Sequence, residues 1–471
     1  MAFAVSLFSN CGAGDVGYRK AGFTFAVMAE LEEKRLKVCL LNHKGAKGVP
    51  GDLRLKWKEV VKKWWAKRPA ARPDLLCACP PCQGMSSARA GMGNGKDPAN
   101  GGRDARNLLV EVVANVIKEL RPRIVVLENV PQFLTRIVPH PDRDEKDTVG
   151  ITAPRLLQER VGKDYQFFPV LLDLADYGVP QTRKRSFITL VSRDEPWLAE
   201  LERLKLTPYP VPTHETNRVT FEACFNALAK KLPSLDPRTK EGARWADDVL
   251  HAVPVWNGSE NDRRYQMTEA TALDGGSAWN NTTCVAGCRN QDVDAEAALC
   301  PQCGQPLLRP VVWDEKNEKW RLIKGFRSSS YRRMNSQSVA ATITTASGHI
   351  GSDVNLHPKE HRLLSVRECA ILQTFPDDFK WGDAPTKWGL GQVREMIGEA
   401  VPPHFTAQHG KVLKDLLDGK ADFAGLLSVQ DVRNRRAEAK FNGVVSQFEL
   451  ELVTAPTSGV DPGTDAPSRD S

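Results

Sequence analysis

From Ala2 to about Ser192 the chain alternates short β-branched apolar runs with longer amphipathic segments. That alternation predicts an α/β fold, a parallel sheet covered by helices. Candidate strands are Ala4 to Phe8, Thr24 to Ala29, Leu75 to Ala78, Ile124 to Leu127, Gln166 to Leu172 and Ser186 to Leu190. Crossover helices are expected over Lys56 to Arg68 and Leu108 to Leu120, the second stopped by Pro122. In the first, Trp57, Val60, Val61, Trp64 and Trp65 recur at helical spacing, and its lysine face reads as solvated rather than as a ligand site. After about Pro196 the pattern gives way to Pro-rich, weakly periodic text up to about Ser352, and helical periodicity returns at Ser365 to Thr374 and Gly391 to Leu417. The expected divisions are 1–195, a separate domain over 196–352, a return over 353–420, an extension over 421–454 and a disordered tail over 455–471.

Composition excludes several classes. With 41% hydrophobic and 26% charged residues in 471, the chain has the balance of a globular protein with a sizeable core, not of a disordered one. Lys plus Arg is 65 against 58 for Asp plus Glu, a net +7 that is compatible with a polyanionic partner without arguing for one. Apolar stretches such as Ile124 to Leu127 are too short to span a bilayer and the N-terminus lacks the basic segment of a secretion signal, so a cytoplasmic protein with no membrane partner is expected. Eleven cysteines, an odd number in local clusters, favour metal binding or catalysis over a disulfide framework.

Four segments carry chemistry. The first strand runs into Leu7-Phe8-Ser9-Asn10-Cys11-Gly12-Ala13-Gly14, a glycine-rich turn opening a helix, where a cofactor can approach the backbone or where the chain merely turns tightly. The second strand ends in Glu30, placed to accept from ribose hydroxyls. In Cys77-Ala78-Cys79-Pro80-Pro81-Cys82-Gln83-Gly84-Met85-Ser86 two prolines hold Cys82 at the sheet edge, either as a nucleophilic thiolate or as a buried, inert cysteine, the fate open to Cys77 and Cys79 as well. Glu128, directly after four apolar residues, is either a desolvated acid–base group or a strand-end acid in a salt bridge. In Gln181-Thr182-Arg183-Lys184-Arg185, alternation puts Arg183 and Arg185 on one face of an extended segment.

In order and approximate spacing, these motifs resemble those of the DNA (cytosine-5)-methyltransferases. Gly51-Asp52, Asp104, Arg106-Asn107-Leu108, Thr342 to Thr345, Arg362 to Pro376 and Gly398 to Pro403 extend the resemblance over 3–195 and 338–415. Two positions depart from the family pattern: Asn10 stands where a glycine is usual, a residue that tolerates left-handed angles, and Glu399 stands where Asn is usual. The resemblance implies a Rossmann-like S-adenosylmethionine-dependent methyltransferase sheet with an inserted target-recognition domain. It implies Cys82 as nucleophile at carbon 6 of a flipped cytosine, Glu128 holding the exocyclic amine and ring nitrogen 3, and Arg185, with Arg183, anchoring the base. For S-adenosylmethionine it implies Phe8 on the adenine, Glu30 on the ribose and Asp52 at the amino group, with Asn10, Gly12, Gly14, Pro80 and Glu399 in the same site. Implied partners are duplex DNA and, for a restriction–modification or DNA-protection enzyme acting as a monomer, a cognate restriction endonuclease.

Between Gln181 and Arg362, Cys284, Cys288, Cys300 and Cys303 form two close pairs that suit a structural zinc ribbon, against four free thiols or disulfides. Gln83 and Ser86, with Arg263, Arg264, Arg289, Arg327, Arg332 and Arg333, are candidate DNA contacts, most of the arginines as phosphate binders or plain surface. Two other readings stay open. The tRNA-directed branch of the family shares the catalytic order, but Cys224-Phe225 is followed by Asn226 rather than its usual Thr, and a catalytically silent DNA- or zinc-binding scaffold is argued against by Cys82, Glu128 and Arg185.

Overall fold

The structure is a computed structural model, described for residues 1–81, 108–135, 137–138, 140–142, 150–229, 249–251, 262–325 and 329–441. The first half runs β1 (Ala2–Leu7), α1 (Ala13–Lys20), β2 (Phe23–Glu30), α2 (Glu33–Asn42), β3 (Lys47–Pro50), α3 (Leu53–Lys67), β4 (Leu75–Ala78), α4 (Leu109–Leu120) and β5 (Ile124–Asn129). There follow a small pair, β6 (Ile137–Val138) and β7 (Ile151–Thr152), then α5 (Ala153–Val161), β8 (Tyr165–Asp173) and β9 (Lys184–Ser192). The second half holds α6 (Leu198–Leu204), β10 (Leu206–Pro210), α7 (Phe221–Ala229), α8 (Arg263–Ala270), the hairpin β11 (Val311–Asp314) and β12 (Lys319–Leu322), α9 (Val366–Leu372), α10 (Leu390–Glu399), α11 (Pro403–Leu417), β13 (Leu426–Ser428) and α12 (Val429–Phe441).

Seven strands form one sheet in the order β3-β2-β1-β4-β5-β9-β8. The first five are mutually parallel, whereas β9 runs antiparallel to both β5 and β8. An all-parallel sheet was the expectation, and the short β8–β9 link explains the difference. Residues 174–183 are too few for the crossover that a parallel return requires. The reversal matters for the site, because it brings the amino end of β9 to the edge where β1, β2, β4 and β5 have their carboxyl ends. The strand β3 was not anticipated, since Lys47-Gly48-Val49-Pro50 contains no apolar run.

Strands buried on both faces read as unbroken apolar runs, and β4 and β5 are buried throughout. Successive residues of β1 feed two separate cores: Val5 and Leu7 pack with α3, α4 and α5, while Ala4 packs with Tyr18 of α1 and Phe405 and Leu413 of α11. Helix α1 lies close on α11, and Gly17 makes that approach possible. A Cβ there would sit 2.0 Å from Thr406 Oγ1 and 2.4 Å from the Pro403 carbonyl. The periodic stretch Gly391 to Leu417 is two helices, broken where Pro402 and Pro403 cannot continue the hydrogen-bond ladder.

Contacts run across the divisions expected at 195/196 and 420/421. β10 pairs with β13, Leu201 packs on Leu416 and Leu426, and the Tyr209 hydroxyl donates to the Phe168 carbonyl on β8 at 2.8 Å. A small separate core over Met267, Ala278, Tyr331, Ile350, Leu356 and Leu363 lies within the middle of the chain. Among the described residues, no helix is long and apolar enough to cross a membrane.

Candidate active site

The turn after β1 is left-handed at alternate residues: Phe8 has φ 56°, Asn10 φ 47° and Gly12 φ 76°. Asn10 therefore fills a glycine-like position in the way its short polar side chain allows. Gly12 has no room for a Cβ, which would meet Cys39 Sγ at 2.8 Å and the His43 ring at 2.9 Å. His43 Nε2 donates to the Gly12 carbonyl at 2.9 Å, and burial pulls its pKa down to about 4, so the ring is neutral. Gly14 packs beside Val401. Across the turn, Glu30 at the end of β2 accepts from the Asn10 amide at 2.8 Å and the Glu32 amide at 3.2 Å. Burial raises the Glu30 pKa, and those two amides oppose the rise.

Asp52 follows β3 on the same edge, but its carboxylate is already engaged. It caps α3 through the Arg54 amide at 2.9 Å and takes the Arg54 guanidinium through Nε at 2.9 Å and Nη2 at 2.5 Å. That side-chain pairing lowers its pKa and competes with the expected acceptance from a cofactor amino group.

Beside this turn, across β4 and β5, lies the second half of the site. Glu128 is 8% exposed and meets Arg185 Nε at 3.1 Å. Burial pushes its pKa up, against the lowering by Arg185 and Arg183, as expected for a carboxyl at the end of an apolar strand. The next residue, Asn129, donates from Nδ2 to the Pro80 carbonyl at 2.9 Å, tying the end of β5 to the Pro-Pro segment after β4. Ser186 Oγ, at the start of β9, donates to the Val130 carbonyl at 2.9 Å. Cys77 and Cys79 are neutral neighbours, their thiols pushed well above the ordinary range by burial. Cys82, Gln83, Ser86, Asp104, Arg106, Asn107 and Arg327 lie outside the described residues.

Further along the chain, Cys284, Cys288, Cys300 and Cys303 place their sulfurs within 4.8 Å of one another, and all four are free cysteines. Each pair sits on a tight turn. The Gly287 amide donates to the Cys284 carbonyl at 3.0 Å and the Gly304 amide to the Cys300 carbonyl at 2.9 Å, with both glycines left-handed. Four converging thiolates fit a tetrahedral sulfur-only metal site.

A family model for C-5 cytosine-specific DNA methylases matches residues 3–415. The chain belongs to that family. Type II methyltransferase M1.HgaI of Avibacterium volantium is 28% identical over 408 residues, 85% of this chain and 94% of its own. Type II methyltransferase M.FnuDI of Fusobacterium nucleatum is 24% identical, over 88% of this chain and 95% of its own. In fold, the chain resembles the crystal structure of a candidate DNA modification methyltransferase encoded within an E. coli prophage, at TM-score 0.53 and 20% identity over 89% of this chain and 100% of that one. Entamoeba histolytica methyltransferase EhMeth gives TM-score 0.50 at 12% identity, over 88% and 99%. The enzyme is a DNA (cytosine-5)-methyltransferase that uses S-adenosylmethionine.

Two arginine expectations for this methyltransferase need correction. Arg183 does not face a base beside Arg185. It is fully buried and donates to the carbonyls of Ile343 at 3.2 Å and of Gly398 and Ala400 at 2.8 Å each. It braces the returning chain against the sheet, as does Gln181. Gln181 Nε2 donates to the Leu372 carbonyl at 2.8 Å, and its Oε1 accepts from the Ile343 amide at 3.0 Å. The signal was present: two-residue spacing puts Gln181 and Arg183 in step. Arg333, expected on DNA, is 1% exposed and spans the carbonyls of Thr268, Thr271, His357 and Glu360. A guanidinium with five donors suits the crossing of several chain segments, where carbonyls would otherwise be orphaned. Arg263 stacks over Trp320 at 4.9 Å and Arg264 is forked onto Asp262, whereas Arg289 and Arg332 are exposed.

Proposed function

We propose that this methyltransferase modifies carbon 5 of a cytosine flipped out of a specific duplex DNA sequence, in restriction–modification or DNA protection. The observation that carries the chemistry is the buried Glu128–Arg185 pair at 3.1 Å, at the sheet edge where Asn129 also holds Pro80. Cys82 supplies the thiolate that bonds to carbon 6, making carbon 5 nucleophilic. Glu128, with its raised pKa, bridges the exocyclic amine and ring nitrogen 3 and stabilises charge as the adduct forms. Arg185 orients Glu128 and meets the base carbonyl. Phe8, Asn10, Gly12, Gly14, Glu30, Asp52 and Pro80 form the S-adenosylmethionine site, bordered by the segment that carries Glu399, and that group supplies the methyl. Release requires loss of the carbon-5 proton to a base and expulsion of the Cys82 thiolate, which returns the ring to aromaticity.

The middle of the chain, 196–352, serves as the target-recognition domain on the Rossmann-like catalytic body. A zinc ribbon at Cys284, Cys288, Cys300 and Cys303 stiffens it, and the exposed Arg289 and Arg332 reach phosphates. The enzyme works as a cytoplasmic monomer beside a cognate restriction endonuclease.

DNA carrying 5-fluorocytosine tests the mechanism, because methyl transfer proceeds but proton loss cannot, which traps the adduct. A gel-stable complex is expected with the wild type and with Cys77→Ser or Cys79→Ser, and none with Cys82→Ser. Trapping that survives loss of Cys82 overturns the mechanism, and labelling of tRNA in preference to DNA overturns the substrate.

A further inference from the structure

Glu399 ends α10, between two residues whose carbonyls are held by Arg183 on the Glu128–Arg185 side of the site. Its own side chain turns the opposite way, to the Arg35 guanidinium on α2. Arg35 also meets Glu395 at 3.1 Å and Glu32 at 3.5 Å, and its side chain is only 11% exposed. One turn earlier in α10, the Met396 carbonyl accepts from Asn10 Nδ2 at 2.9 Å, and the Asn10 amide in turn donates to Glu30. The segment 396–400 is thus a strap. One side is anchored to the turn and α2, and the other to Arg183.

We propose that Arg35 and Glu399 form a charge latch that seats this strap over the cofactor turn, which makes them positioning residues for S-adenosylmethionine. A guanidinium that reaches Glu399 with one terminal nitrogen and Glu395 with the other holds the end of α10 with a charge-assisted strength that a single amide lacks. Removing Arg35 leaves Glu399 beside Glu395 with no cation between them, removing Glu399 leaves Arg35 its other two carboxylates and costs less, and removing both spares the unpaired Glu399. The latch acts on the cofactor half because its contacts lead to Asn10 and Glu30, while the Arg183 anchor stays in place.

This inference rests on the assignment of Glu30 and the turn to the cofactor, and the experiment separates the two. Steady-state kinetics and calorimetric S-adenosylmethionine binding are measured on the full-length enzyme and on Arg35→Met, Glu399→Gln, Arg35→Met/Glu399→Met and Glu30→Gln, each checked by thermal melting. Arg35→Met is expected to raise KM for S-adenosylmethionine about tenfold while kcat and KM for DNA stay within about twofold. Glu399→Gln shifts the same way by less, and serves alone if Arg35→Met does not fold. The double variant recovers most of the loss. A folded latch variant with unchanged KM for S-adenosylmethionine, beside a Glu30→Gln variant with a raised one, overturns the latch. So do equal rises in both KM values, or a double variant no better than Arg35→Met. If Glu30→Gln leaves KM unchanged as well, the cofactor assignment itself falls.

Discussion

Asp15 is a buried carboxyl in the first turn of α1, one step behind the cofactor turn, and takes part in no proposed step of the reaction. It accepts from Ser6 Oγ at 2.8 Å, and burial raises its pKa from the ordinary 3.8 to about 7. An acid whose pKa is raised by folding holds a proton that the unfolded chain gives up. Its contribution to stability is therefore complete below about pH 4 and is lost as pH climbs towards 7. Asp15→Asn keeps an acceptor for Ser6 and removes the titration. Denaturant melts should show the variant gaining on the wild type by on the order of 1–3 kcal/mol between pH 4 and 8. A difference that stays flat across that range would show that Asp15 is not desolvated. Glu128 is a different case, since Arg185 and Arg183 oppose the rise that burial imposes on it.

At the scale of an element, the cysteine knuckles rest on little apolar support among the described residues. Their local cluster is Cys284, Cys300 and Leu307, with Cys288, Val293 and Ala297 packed beside it. So small a core does not order a segment of this length by hydrophobic burial alone, and the zinc proposed for the four cysteines would supply the missing crosslink. Arg309, which donates to the carbonyls of Asn281, Asp294, Ala295 and Ala297, ties the two turns to their surroundings. The purified enzyme should hold about one zinc per chain. A thiol-reactive mercurial that releases it should weaken DNA binding at least tenfold and leave S-adenosylmethionine affinity within about twofold. Metal content near zero under reducing conditions would remove the site.

Across the whole molecule, the catalytic body is closed by chain from both ends of the sequence. Leu426, Leu427 and Val432 are buried, the Leu427 carbonyl accepts from Thr207 Oγ1 at 2.7 Å, and Arg435 pairs with Asp176 at 3.3 Å and with Glu215. Deleting residues 421–471 removes those side chains and uncovers the apolar residues they pack on, Leu201 and Leu416 among them. Burial of each is worth about 1.5–3 kcal/mol, so the truncated enzyme should melt several degrees lower or fail to fold. Thermal melting and limited proteolysis measure this, and an unchanged melting temperature would show the C-terminal elements to be appended rather than integral.

The strands β1, β2, β4, β5, β8 and β9, the helices α3 and α4, and the positions of Glu30, Glu128 and Arg185 at strand ends were all readable in the chain, because periodicity and strand termini are local properties. Asn10 was readable in the same way, since a left-handed turn needs only the residue that occupies it. Direction and partnership were not readable. The reversal of β9 depends on a link length weighed against the rest of the sheet. Arg183 and Arg333 look like surface cations until distant carbonyls are found around them, and Glu399 reads as an anomaly until Arg35, 364 residues away, is beside it. Local periodicity and turn chemistry belong to the sequence alone, whereas pairing between residues hundreds of positions apart leaves no pattern in either segment and is decided only when the chain has closed on itself.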